Sequence, residues 1–255
     1  MIKESSQKVL LALYAPDQPR PFVLSPAVFK ELLQLSESGF RSLLFSLEKK
    51  QFILSTSLGE PAVQLLPLGQ QALTDLFPAL RSDFESWQGD WQALVFLEAP
   101  TGDQNFRNLR RKLLELKAIP LTRGVYLYPG PVPALFRSEL QVLYAQSVAI
   151  LSVSQWQFGS NPAIEVTHQN AEETFHMYSS VSTTLYELLT RKNHKKGLTL
   201  AEKNRLFSAF TMFWESIGLD MGFLGYYYPR KLSLLDVLKQ FQEAFLLIHE
   251  SNIPD

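Results

Sequence analysis

One carboxylate stands where chemistry is often done. Glu98 closes the apolar run "WQALVFLE" (91–98). Pro100 and the basic stretch "NFRNLRRKL" (105–113) follow it. A lone acid at a strand end can ligate a divalent cation or take up a proton. It can also accept hydrogen bonds from the free N–H groups at the start of the next helix. Mg²⁺ sites usually draw on more than one carboxylate or on substrate phosphates, so a catalytic Glu98 would need a second chain to bring the other acid. The structural reading is preferred. It makes Glu98 an acceptor for the following helix, with Arg107, Arg110 and Arg111 as charge partners for it or for another chain.

Other chemistry is sparse. The four histidines, His168, His176, His194 and His249, fall into no HExxH or other metal spacing. Glu172 and His176 sit one helical turn apart. That spacing suits two metal ligands, but a surface ion pair or cap is the expected use. Arg191, Lys192, Lys195 and Lys196 surround His194, which reads first as a solvated loop and second as a phosphate contact. No phosphate-binding glycine loop and no nucleophile-elbow serine motif occurs. The absence of cysteine excludes disulfides, a thiol nucleophile and cysteine-ligated zinc. The sequence therefore leads us to expect no enzyme, no catalytic residue, no metal and no cofactor.

The elements around these residues fall into three groups. A length of 255 residues suits two or three domains. In the first group "ESSQKVLLALY" has helical spacing, and "PDQPRPF" is a proline-rich loop. Ser25 is placed to cap a helix that opens with Pro26. Ser36 is placed to cap "ESGFRSLLFSLEKK", where Phe40, Leu43, Leu44 and Leu47 make one apolar face. "FILSTS", "LGEP" and "AVQLLP" read as strand, turn and strand, and "LGQQALTDLF" as a closing helix. Three helices, a hairpin and a helix are the order of a winged helix-turn-helix. The outward face of the third helix carries Glu37, Ser38, Arg41, Ser42, Ser46 and Lys49. Residues 1–77 hold seven basic and seven acidic side chains, and the hairpin tip "STSLGEPAVQ" has no Lys or Arg. Any phosphate attraction must be local, because the whole chain has net charge −1.

The middle group reads β-α-β-β-α-β. Its parts are "WQALVFLE", a helix with Phe106, Leu109, Leu113 and Leu116 inward, "AIPLT" and "GVYLYP" about Arg123 and Gly124, "PVPALFRSELQVLYAQ", and "SVAILSVSQWQF". That order is the ferredoxin-like split unit. The last group is helical: "NAEETFHMYSSVSTTLYELLTRK", a helix opening at Thr199 or Leu200, and "LSLLDVLKQFQEAFLLIHES" with Ser233 as cap. Between the last two lies "LDMGFLGYYYPRK", read as a packed connector in preference to a pocket lip.

The central stretch "DWQALVFLEAPTGDQNFRNLRRKLLELKAIPLTRGVYLYPGP" resembles the central domain of the PaaX family of bacterial transcriptional repressors. Trp91, Phe96, Pro100, Arg107, Leu109, Arg110, Leu113, Gly124, Val125 and Pro129 carry the likeness, with a shift of one residue before Pro100. "LSESGFRSLLFSLEKKQFI" is similar to the family's recognition helix and following strand, "LPLGQQAL" to the end of its wing, and "GLDMGFLGYYYPRKLSLLDVLKQFQEAF" more loosely to its helical tail. Phe45 and Ser46 stand where the family tends to have Ser and Arg. The central domain also resembles the small ferredoxin-like nuclease subunit of CRISPR adaptation complexes, where an aspartate at the Glu98 position holds a metal.

The resemblance implies an α+β chain of three domains. These are a winged helix-turn-helix over 1–78, a ferredoxin-like βαββαβ dimerisation domain over 87–160, and an all-helical C-terminal domain over 165–255. It implies a repressor acting as a homodimer on double-stranded DNA, with a small-molecule effector of unidentified chemistry. The polar N-terminus "MIKESSQKVL", the lack of cysteine and the lack of a long apolar run lead us to expect a cytoplasmic protein with no membrane partner. Ser38, Arg41, Ser42 and Ser46 would face bases, and Lys49 and Lys50 phosphates. Two other readings stay open. One is a metal-dependent nuclease using Glu98. The other is a protein-interaction module whose winged helix no longer meets DNA.

Overall fold

The computed structural model of the chain describes residues 2–16, 21–56, 61–81, 89–98, 102, 104–116, 118–144, 146–156, 162–191, 197–228 and 232–250. The chain is of mixed α and β structure with two antiparallel sheets. Its contacts group into two units. The first joins Met1–Arg81 to Glu173–Asp220 and Arg230–Asp255; the second joins Ser82–Glu172 to Met221–Pro229. Among the described residues no helix is long and apolar enough to cross a membrane.

In the first unit, α1 (Glu4–Ala12) buries Val9, Leu10 and Leu11. Ser25 accepts from the Ala27 N–H and Pro26 opens α2 (Pro26–Leu33), as its sequence expects. Ser36 accepts from the Gly39 N–H and opens α3 (Glu37–Lys49). A three-stranded sheet has the order β1-β3-β2, from Val23–Leu24, Ala62–Leu65 and Ile53–Thr56. The sequence reading has no strand at Val23–Leu24; two residues between a proline-rich loop and a helix cap leave no period to read. Val23 pairs with Gln64 and Leu24 with Val63.

The helix α4 (Pro67–Leu76) starts hard against the end of α3. The Leu66 N–H donates to the Phe52 carbonyl at 2.9 Å. A Cβ on Gly69 would meet that carbonyl oxygen at 2.2 Å, so only glycine fits there.

The remaining helices of this unit pack on the N-terminal ones. A Thr199–Glu202 capping box opens α8 (Leu200–Leu219), which resolves the expected start to Thr199. Ser233 and Asp236 exchange side-chain and backbone bonds at the start of α10 (Leu234–Glu250). Phe210, Phe213, Phe241 and Phe245 make a ring cluster with centroids 5.1–5.9 Å apart. Polar bonds fix the long-range contacts. Trp214 Nε1 donates to Gln7 Oε1 at 3.1 Å, Gln242 Nε2 to the Tyr14 carbonyl at 2.9 Å, and Lys203 Nζ pairs with Glu31 at 2.9 Å.

The second unit is built on a four-stranded sheet with the order β5-β6-β4-β7, from Ile119–Thr122, Val125–Pro129, Trp91–Phe96 and Val148–Val153. Gly124, at φ 79°, makes the tight turn between β5 and β6. On one face Leu94, Phe96, Tyr126 and Tyr128 pack with Phe106, Leu109 and Leu113 of α5 (Gln104–Glu115) and with Phe136 and Leu140 of α6 (Ala134–Tyr144). On the other, Trp91, Ala93, Ile119 and Leu127 pack with Ala171 of α7 (Pro162–Leu189) and with Phe223, beside the short helix α9 (Leu224–Tyr227). Phe223 is fully buried. Among the described residues of the aromatic, glycine-rich segment, Phe223 and Leu224 are buried and Leu219 and Tyr226 are exposed.

Candidate nucleic-acid interface

The amphipathic pattern of α3 divides it into two faces. Phe40 and Leu47 are buried, while Leu43 and Leu44 are half-buried. The other face is exposed: Glu37, Ser38, Arg41, Ser42, Phe45, Ser46, Glu48 and Lys49, with Lys50 at the helix end. Ser38, Arg41, Ser42, Ser46 and Lys49, singled out for DNA contact, share this exposed side; Lys50 is also exposed, but at about 100° per residue it lies half a turn from Arg41, at the helix end. Serine side chains are short, so Arg41, Phe45 and Lys49 reach furthest from the shared side.

Glu37 organises the cations of this surface. Its Oε1 accepts from Arg41 Nε at 3.0 Å and its Oε2 from Lys30 Nζ of α2 at 2.6 Å. The Lys30 ammonium, hydrogen-bonded and charged, holds the Glu37 carboxyl below the usual carboxylate range, and Arg41 adds to this. The contact to Arg41 engages Nε alone. The Nη groups can still offer the paired donors that match guanine O6 and N7. The Glu37–Arg41 pair was legible as an i, i+4 spacing. The Lys30 contact, from another helix, was not.

The strands that follow α3 carry no cation over Ile53–Thr56 or Ala62–Leu65. The hairpin tip, 57–60, lies outside the described residues. Lys50 stands near the hairpin base, with Nζ 5.9 Å from the Phe52 ring centroid.

The other sequence candidates do not assemble. Glu98 is exposed just past β4. Residues 99–101 and 103, which lead into α5, lie outside the described residues. The arginines expected beside Glu98 engage elsewhere. Arg107 Nη2 donates to the Gly102 carbonyl at 3.2 Å, and Arg111 reaches Asn108 at 3.4 Å and Glu115 at 3.9 Å. Arg110 faces Tyr126, whose hydroxyl pKa is pushed up by burial against the opposing pull of that guanidinium. Arg111 thus takes the i+4 carboxylate of its own helix, a spacing that brings the two side chains together. Glu172 and His176 are both exposed on α7. Arg191 pairs with Glu202, the acid of the α8 capping box; Lys192, His194, Lys195 and Lys196 lie outside the described residues. Among the described residues no three His, Asp or Glu side chains lie together as a cation site.

No family model matches the chain, and no curated protein matches it. Among solved structures the chain is similar to "Uncharacterized protein Rv0674 from Mycobacterium tuberculosis". The identity is 14%, the match covers 95% of this chain and 94% of that one, and the TM-score is 0.49.

Proposed function

We propose that the protein is a PaaX-like DNA-binding transcriptional regulator, a repressor that binds an inverted repeat as a homodimer. One observation carries this reading: the exposed face of α3, where Arg41 is held by Glu37 among Ser38, Ser42, Ser46 and Lys49, with Lys50 at the helix end. A helix with that face fits a major groove, with arginine reading guanine and lysines meeting phosphate.

The surrounding elements support it. The order α1, β1, α2, α3, β2, β3 with the sheet β1-β3-β2 supports the winged helix-turn-helix reading. The order β5-β6-β4-β7, with α5 and α6 on one face, supports the ferredoxin-like reading of the second unit. A homodimer would bring two α3 helices, one for each half-site of an inverted repeat.

The test is enrichment of duplexes from a random pool, followed by mobility-shift titration. An enriched inverted repeat is expected. Arg41→Ala should lose about 1–3 kcal/mol at one base position per half-site. Light scattering should give twice the chain mass of 29.1 kDa at micromolar concentration. No enriched duplex would sink the reading.

A protein-interaction module is the second reading. Phe45 favours it: an exposed aromatic on a helix face is also how protein partners are anchored.

A further inference from the structure

We infer that Phe45 is a specificity-determining residue of the α3 surface and that it reads the 5-methyl group of thymine. This rests on the DNA-binding reading above. Phe45 is 67% exposed, on a helix whose other aromatic, Phe40, is buried. At about 100° per residue, Arg41 and Lys49 lie about 40° to either side of it, Ser38 about 20° away and Ser42 about 60°. Phe45 is therefore the middle of the face, with Glu48 toward one border and Ser46 toward the other. The three serines do not reach past it. Any surface that covers α3 must cover this ring.

The setting selects the partner. The flanking cations Arg41 and Lys49, with Lys30 beside Glu37, suit a polyanion better than an apolar protein groove. Glu37 is already matched by Lys30 and Arg41, which leaves Glu48 as the one acid of the face without a cation in this set. In the major groove the edges of the bases offer donors and acceptors everywhere and a single apolar feature, the thymine methyl. A phenyl ring has no hydrogen-bonding atom, so it is useful there against that methyl alone. Beside a cytosine amino group or a guanine carbonyl it would remove water from a polar edge and return nothing. Phe45 thus acts by both attraction and exclusion: it favours thymine at one position and penalises cytosine.

The experiment uses the full chain and the duplex enriched from the pool. Each thymine is replaced in turn by deoxyuridine, which removes only the methyl group. The replaced duplexes are titrated against the parent and Phe45→Ala. Because the side chain is exposed, the variant keeps its fold, checked by circular dichroism. We expect one deoxyuridine per half-site to weaken the parent about three- to fivefold, the effect of one methyl-sized apolar group. The same replacement should leave Phe45→Ala unchanged. Indifference of the parent to every replacement, or an equal penalty in Phe45→Ala, overturns the assignment while leaving DNA binding intact. A pool from which no duplex is enriched overturns the DNA reading itself, and Phe45 would then mark a protein-docking face.

Discussion

Arg41 Nε donates to Glu37 Oε1 at 3.0 Å across one turn of α3, while the second oxygen of the same carboxylate holds Lys30 of α2. One acid therefore fixes two cations from two helices. It orients the guanidinium, and it places a negative charge on the surface proposed to meet phosphates. These two effects oppose each other in DNA binding, and a single substitution separates them.

Glu37→Gln should raise affinity for bulk DNA a few-fold, because a negative charge is lost. The preference for the enriched duplex over bulk DNA should fall, because Arg41 is less well held. Competition mobility shifts at two salt concentrations read both quantities. A rise in preference would contradict the orienting role. The sign of the acid dependence also follows. The Glu37 carboxyl pKa is lowered in the folded chain, so its contribution to stability is present above the unfolded carboxylate value. It is lost as pH falls through the lowered value.

Lys49→Ala and Lys50→Ala test the phosphate assignment. Each should reduce the slope of log affinity against log salt by about 1. Each should also weaken all duplexes alike, unlike Arg41→Ala. A lysine whose removal changes sequence preference without changing the salt slope is reading a base, and its assignment here would be wrong.

Local chemistry was legible in the sequence, and tertiary choice was not. Ser25, Ser36 and Ser233 act as caps because a cap needs only its own first turn. Phe106, Leu109 and Leu113 face inward because helical spacing dictates it. By contrast Gln242 and Tyr14 meet across 228 positions, and no period says which apolar face meets which. The exposed face of α3 follows from its apolar period, which also leaves Phe45 on that face. Its spacing alone placed it between Arg41 and Lys49.

Tyr178 and Asp220 give a stability test inside the first unit. The Tyr178 hydroxyl donates to Asp220 Oδ2 at 2.8 Å, and both residues are buried. Tyr178→Phe should cost about 1–3 kcal/mol in chemical denaturation, because a buried carboxylate loses a donor. Burial, and then the Asp220 charge, push the Tyr178 hydroxyl well above the usual tyrosine range. A raised folded value means its contribution is complete below the unfolded value of about 10 and is lost as pH rises beyond it. The parent should therefore lose stability above about pH 10 more steeply than Tyr178→Phe, by at most about 1.4 kcal/mol per pH unit. Parallel curves for the two proteins would show that Tyr178 ionises as freely folded as unfolded.

Glu98 remains the residue that separates a regulator from a nuclease. It is exposed just past β4, and the arginines of α5 take other partners. An exposed carboxylate with no fixed partner contributes little to folding, so Glu98→Gln should shift stability by less than about 0.5 kcal/mol. A regulator that reads DNA through α3 should bind the enriched duplex equally well with this substitution, since Glu98 is on the other unit and not on the α3 face. A nuclease built on this acid would behave otherwise, because loss of a carboxylate ligand to a divalent cation removes cleavage while the fold survives. Purified parent and Glu98→Gln, incubated with labelled duplex DNA and RNA in Mg²⁺ or Mn²⁺, decide the matter. Intact substrate with both proteins is the expected result. Cleavage by the parent that disappears in Glu98→Gln would make the second unit an enzyme and the α3 face its accessory.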